Sequence, residues 1–555
     1  MRDRTPLLAA PAALLIAALF VYPFAYGLLL SFEPMKGDWL ANYVQFFSSD
    51  RLWPTIGTTL QLALPATLIN VGIALPIAYR MRAGSPHRKW LTTVLVVPIT
   101  LGTVLIAEGM LTYFGPRGWL AQFLQLAHLY DGPIRLTHNY WGVLISLVIS
   151  GFPFAFLLIL SYVTGIDPVL ARAAATLGAG PWSQFRHIYF PLLLPGLAMC
   201  FCLAFVQAFS VFPSAVLVGA PAGPTRVISI AAYEAAFELY DYSLASAVAM
   251  IMGLVQLAIV AGFGQPKAAL PRARHRRQGM RATARAWNGL LIGLMTLFVL
   301  NVGLMIAAVV TSSFARRWLG TWLPDGYTTG WYVAAWKESQ LDHVLWVTVE
   351  VVGAVVLLSI LLGVPAAYAL ARREFAGKRL LLLLFLLPLL VPPITYGIPL
   401  ATVMYQVQLA GTLWGVILAN LVPALPFVIL VMTPFIEQID PNLESAARVL
   451  GANTGRVFLH VLVPLLAPGM LAASLLVLVR TIAMFELTFL TSGPDSQTLV
   501  VALYYAVFAA GVRAPQSVDA MAMIYMAVTL VWLLIALRFV DPTQLVSRLN
   551  EAPRT

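Results

Sequence analysis

The sequence predicts an all-α membrane protein of about twelve transmembrane helices, arranged as two parallel six-span repeats. Three observations predict it. Of 555 residues, 60% are hydrophobic and only 10% charged, too few polar side chains to cover a soluble domain of that size. The apolar residues come in runs of twenty or more, enough to cross a hydrocarbon core of about 30 Å. The second half of the chain also repeats the first.

Taken in order, the apolar runs predict spans near 7–31, 55–80, 90–113, 139–164, 191–217 and 241–263. A second set follows near 287–312, 344–370, 379–404, 411–436, 464–490 and 518–539. The first run follows Arg2 and Arg4, is too long for a signal h-region and lacks a small-x-small cleavage site, so it reads as an uncleaved span. An even number of spans places both termini on one side. The basic loops fix that side as the cytoplasm. Arg80, Arg82, Arg88 and Lys89 follow span two, and Arg372, Arg373, Lys378 and Arg379 follow span eight. Residues 264–286 carry Lys267, Arg272, Arg274, Arg276, Arg277, Arg281 and Arg285 with no acidic residue, a cytoplasmic linker suited to anionic lipid. The net charge of +11 therefore marks an inner face and no nucleic-acid partner.

On the opposite side, Trp318, Trp322, Trp331, Tyr332 and Trp336 fit an interfacial belt of amphipathic rings. Residues 117–129 read as a short helix lying along the membrane surface. Cys200 and Cys202 sit inside an apolar run and read as small packing residues, with no disulfide framework and no metal site.

The repeat is ungapped over residues 141–196 and 414–469, an offset of 414 − 141 = 273. It is strongest from Ile166 to Gly196 against Ile439 to Gly469, where 16 of 31 positions are identical. An earlier echo sets Pro76-Ile77-Ala78-Tyr79 against Pro365-Ala366-Ala367-Tyr368, an offset of 289. The predicted organisation is a first unit over 1–263, the linker over 264–286, a second unit over 287–540 and a cytoplasmic tail over 541–555.

The best-matching segment is the least membrane-like part of each half. Asp167-Pro168 and Asp440-Pro441 are helix starts, an acidic cap followed by proline at the first helical position. A short helix follows, and Gly178 or Gly451 permits a left-handed turn into a second short helix. That helix runs into Pro191 or Pro464, which opens the next span. The spacing resembles the EAA loop of type I ABC importer permeases: Glu-Ala-Ala, three residues, Gly, nine residues, Ile-x-Leu-Pro. It is carried by Ala173, Ala174, Gly178, Ile188 and Pro191, and again by Ala446, Ala447, Gly451, Val461 and Pro464. The Glu position departs from the pattern, being Arg172 and Ser445, with Glu444 one residue earlier.

The resemblance implies the type I importer permease fold in a fused, double-length form. It implies that each loop is a coupling helix docked on a cytoplasmic ABC ATPase, two copies in all. ATP and Mg²⁺ would be bound by that partner, and this chain would bind no cofactor. A periplasmic binding protein would deliver a small polar solute across a bacterial inner membrane. Double-length permeases resemble those of ferric iron and thiamine importers, and the segment from Ala232 to Tyr242 resembles polyamine and sugar permeases, so the expected solute leans cationic.

Ionisable residues inside spans are costly and point to function. The candidates for a substrate path are Glu108 in span three, Arg480 and Glu486 in span eleven, and Gln207, which the offset places opposite Arg480 (480 − 273 = 207). Arg480 could equally pair with Glu108 or another span. Pro388, Pro392, Pro393 and Pro399 predict a broken span nine, tolerated where backbone lines a cavity. The chain has no Gly-x4-Gly-Lys-Ser/Thr sequence and no metalloprotease or serine-hydrolase motif, so it is expected to be a transport subunit without an ATPase site. A secondary transporter of six plus six spans is the alternative.

Overall fold

The computed structural model of the protein describes residues 5–82, 88–128, 135–263, 281–318, 321–509 and 512–539. Most of the predicted linker over 264–286 and the tail over 541–555 lie outside them, as do the side chains of Arg88 and Lys89. Among the described residues the secondary structure is helical, apart from one isolated bridge between Ala315 and Tyr327. Eleven helices are long and apolar enough to cross a membrane. The pair Lys378–Leu390 and Pro393–Gln406, bent by 100°, makes a twelfth if counted as one span.

That bend is the predicted break in span nine. Val391 and Pro392 are both extended, because each precedes a proline whose ring excludes the helical region for its predecessor. Span three has a break the sequence reading left straight, at Gly102 with φ +73°, 290 residues before Pro392 (392 − 102). Spans five and eleven were expected to run to 217 and 490, but they stop at Phe209 and Ile482. Short helices Pro213–Leu217 and Glu486–Thr491 follow each stop. Apolar sequence continues through both breaks, so hydropathy alone does not register them. The predicted surface helix is present as Trp119–Leu126.

Proline also shapes the span entries. Wide π turns at Ala17–Val21, Phe185–Tyr189 and Phe458–Leu462 each end two residues before Pro23, Pro191 and Pro464. A proline cannot donate to the carbonyl four residues back and its ring crowds it; widening the turn relieves the clash.

Packing divides the chain into two compact units, and neither is a contiguous half. The second unit gathers residues 1–53, 229–253 and 330–541. Its core lies between span eight (Leu341–Arg372) and span ten (Leu413–Glu437), with span one (Thr5–Leu30) laid along span eight through Ala12, Ile16 and Phe20. Gly27 lets span one approach closely, since a Cβ there would sit 2.6 Å from Cγ of Pro399.

The first unit contains residues 54–228 and 254–329. Its core joins span two (Pro54–Met81), span four (Tyr140–Gly165) and span five (Phe190–Phe209). Span seven (Arg281–Phe314) packs on it, with Phe298 4.6 Å from Phe152 and Met305 filling the space beside Gly109. The division at 264–286 follows the sequence repeat, whereas packing groups residues 1–53 and 229–253 with the second repeat and 254–329 with the first.

Candidate coupling elbows and a polar crevice

Each repeat builds the same elbow. In the first, Asp167 accepts from the Val169 amide at 2.8 Å and opens the helix Pro168–Thr176. Gly178 then turns left-handed at φ +85°. Its amide donates to Ala175 O and that of Ala179 to Ala174 O, both at 2.9 Å, the paired closure of a Schellman motif. In the second, Asp440 accepts from the Asn442 amide at 2.9 Å and opens Pro441–Val449. Gly451 turns at φ +86°. Its amide donates to Arg448 O and that of Ala452 to Ala447 O, both at 3.0 Å.

The motif alanines thus have a backbone role as well as a small size: Ala174 and Ala447 supply the carbonyls that close the turn. Ala173 and Ala446 are exposed, while Ala174 and Ala447 are half-buried. Leu177, Val449 and Leu450 at the tips are 88%, 87% and 88% exposed, beyond what a solvated connector needs. Ile188 and Val461 are half-buried at the return limb, and Pro191 and Pro464 open the spans as expected.

The elbows differ behind this shared front. Arg172 and Ser445, at the motif's Glu position, are both exposed. Glu444 is buried and faces the membrane helices. Tyr368 Oη donates to Glu444 Oε2 at 2.7 Å, and Arg372 Nε donates to Oε1 at 2.7 Å. Arg372 Nη2 also donates to the Ile439 carbonyl at 2.7 Å. Sequence reasoning did not place this group. The signal was the helical period: Leu443, Ala446 and Leu450 lie on one face of the short helix, Glu444 and Ala447 on the other.

The predicted substrate-path residues are divided between the units, Glu108 and Gln207 in the first and Arg480 and Glu486 in the second. Glu108 is buried in span three of the first unit. Gln207 is exposed on span five. Glu486 is half-buried and opens the short helix beyond span eleven, so it is not a span residue as expected. Arg480 forms no ion pair among the described residues; its guanidinium lies over the Phe427 ring, 5.4 Å from the centroid. It lines a crevice of the second unit with Asn420, Pro423, Ala424, Val477, Thr481 and Met484. Asn420 donates to Val416 O at 2.9 Å and Thr488 Oγ1 at 3.0 Å, and its buried Oδ1 has no donor among the described residues. Pro423 removes the amide that would bond the Ala419 carbonyl. The crevice thus offers a cation and an unpartnered acceptor.

Comparison with known proteins bears on both features. A family model described as "Binding-protein-dependent transport system inner membrane component" matches residues 70–266 and 359–545, one match per repeat at the 289 offset (359 − 70). The ferric transport system permease protein of Actinobacillus pleuropneumoniae is 23% identical over 407 residues, 69% of this chain and 56% of that protein. A probable sulfate transport system permease protein of Prototheca wickerhamii is 27% identical over 205 residues, 37% of this chain and 78% of its own length. The trehalose transport system permease protein of Mycobacterium tuberculosis is 41% identical over 123 residues, 22% and 45% of the two chains. The chain thus spans little more than half of the ferric relative.

Proposed function

Because the chain belongs to the family of binding-protein-dependent transport system inner membrane components, we propose that it serves as a two-repeat permease subunit of an ABC importer. Each elbow docks on one copy of a separate cytoplasmic ATPase, which binds ATP and Mg²⁺. A periplasmic binding protein delivers the solute, and both termini face the cytoplasm of a bacterial inner membrane. The observation that carries this reading is the pair of elbows. Two sequence-distant segments adopt one backbone, φ +85° and +86°, and expose an apolar tip each. A shared geometry with an exposed apolar front is what two identical partner grooves require.

The solute is small and polar, and the relatives named above are labelled for ferric, sulfate and trehalose transport. The cation-leaning expectation of an iron, thiamine or polyamine-like solute meets an obstacle at Arg480. Arg480 forms no ion pair among the described residues, so its charge disfavours a small cation at close range. An oxyanion-bearing or neutral solute fits the crevice better.

The test is affinity capture of candidate ABC ATPases from the same cell by the permease in nanodiscs. The double variant Leu177→Asp/Leu450→Asp is expected to lose at least tenfold in apparent affinity while inserting normally. Unchanged capture overturns the docking assignment. Solute accumulation in vesicles that follows a proton gradient and ignores ATP would establish the secondary-transporter alternative.

A further inference from the structure

The two elbows are attached to their membrane helices by different chemistry. In the second unit the attachment is ionic and directional. Glu444 and Arg372 have side chains 8% and 10% exposed, and their carboxylate and guanidinium are 2.7 Å apart. Tyr368 adds a hydroxyl donor at 2.7 Å and packs its ring edge-on against Phe458, at the start of the return limb, 5.7 Å between centroids. Arg372 also holds the Ile439 carbonyl, immediately before the Asp440 cap. The last turn of span eight therefore grips the coupling helix at its start and on its inward face.

The first unit preserves the aromatic half of this arrangement and, among the described residues, lacks the ionic half. Tyr79 is the repeat's counterpart of Tyr368 (368 − 289 = 79), and Phe185 that of Phe458 (458 − 273 = 185). They meet edge-on at 4.8 Å. The counterpart of Glu444 is Ala171 (444 − 273 = 171), which offers no acceptor. Tyr79 Oη accordingly has no hydrogen-bond partner among the described residues. Arg82 turns back over its own span, 3.7 Å from the Tyr79 ring centroid and 4.7 Å from that of Tyr189. Ring contacts of this kind tolerate sliding, whereas a carboxylate held by two donors has one geometry.

We propose that Glu444 is a positioning residue that makes the second coupling helix and span eight a single lever, while the first coupling helix is free to shift against span two. This rests on the docking reading above. Motion imposed by the ATPase then enters the membrane helices stiffly through the second elbow and compliantly through the first. The two ATPase copies, though identical, act on unequal levers.

Amide exchange of the full-length chain in nanodiscs tests the attachment without any partner. Residues 441–450 are expected to exchange at least tenfold more slowly than 168–177. Glu444→Ala brings the two segments level, and Ala171→Glu, which supplies an acceptor at the Glu444 position of the first repeat, slows the first. The swap Arg372→Glu/Glu444→Arg restores part of the protection, which separates the tie from general stability. Equal exchange of the two segments in the unmodified protein, or protection of 441–450 unchanged within twofold in Glu444→Ala, overturns the proposal.

A second arm uses the complex with its ATPase trapped by ADP and vanadate. Trapping is expected to alter exchange over 365–372 in the unmodified complex. Glu444→Ala traps nucleotide equally but loses that response. A retained response overturns the lever. Failure of the ATPase to bind at all is a different result: it sinks the docking reading and leaves the first arm's measurement standing.

Discussion

Replacing Gly451 isolates the backbone geometry of an elbow from its contacts. At φ +86°, a residue with a Cβ is strained by roughly 1–2 kcal/mol, and Asn by less because it tolerates the left-handed region. No atom lies within 4 Å of a Cβ built on Gly451 or Gly178, so the strain is purely conformational within the chain. Proline is worse: its ring holds φ near −65°, about 150° away from the observed value. It also deletes the amide that donates to Arg448 O at 3.0 Å, for a total of about 3 kcal/mol or more. If only the native elbow binds the ATPase, apparent affinity falls with the competent fraction. One or two kcal/mol then bounds the loss for Ala at roughly 5–30-fold, with Asn between Gly and Ala and Pro beyond 100-fold.

The assay is ATPase binding to nanodisc-embedded permease, with insertion and monodispersity as controls. Asn is the decisive variant. It is larger than Ala, so a clash with the partner predicts Asn weaker than Ala, whereas backbone strain predicts the reverse. Asn binding more weakly than Ala, or both binding as Gly does, refutes the reasoning. Gly178 must give the same order.

Two further predictions concern packing and capping. Gly27→Ala drives a Cβ to 2.6 Å from Cγ of Pro399 and should cost about 1–3 kcal/mol, because a proline ring cannot move aside. Gly109→Ala meets Met305 Cγ at 2.8 Å, and the flexible thioether can yield; the thermal midpoint in detergent should fall further for Gly27→Ala, and the opposite order would refute the argument. Thr59 and Thr348 accept from the amides of Ile228 and Leu499 at 2.9 Å, each at the start of a buried helix. Valine at either position leaves that donor unpaired and should cost about 1–3 kcal/mol, read as faster amide exchange at Ile228 or at residues 499–508; unchanged exchange at both would refute the capping.

The span pattern was legible because length and apolarity report directly on crossing a bilayer. The elbows were legible because the two copies share a backbone geometry that Asp, Pro and Gly write into the sequence. What stayed hidden was everything that joins distant residues. Hydropathy marks span one as a span but not that Phe20 meets Tyr396, 5.2 Å away by ring centroid. Glu486 read as a span residue because the break at Ala483–Phe485 lies in apolar sequence. Glu444 read as a displaced motif acid because its partners, Tyr368 and Arg372, are 76 and 72 positions away. The matched caps Thr59 and Thr348 were recoverable in principle, since they stand 289 apart like the two tyrosines.

A buried ion pair is a poor way to stabilise a fold, because desolvation offsets most of the attraction and an apolar replacement often does as well. The first unit is such a replacement among the described residues: Ala171 stands at the Glu444 position, and the Tyr79 ring meets Phe185 on the return limb with Arg82 over it. Attachment alone therefore does not require Glu444. What the carboxylate adds is a fixed direction, since it is held by two donors on one turn of span eight while Arg372 grips the carbonyl before the cap. On the proposed docking reading the fronts of the two elbows meet identical partners, and there the copies agree to one degree in φ. The back meets only the chain's own helices, and there fusion into one polypeptide lets the copies diverge. Arg480 opposite Gln207 shows the same freedom in the membrane helices. A homodimeric permease could not hold one lever stiff and the other compliant; a fused one can, and the Tyr368–Glu444–Arg372 group is where this chain does so.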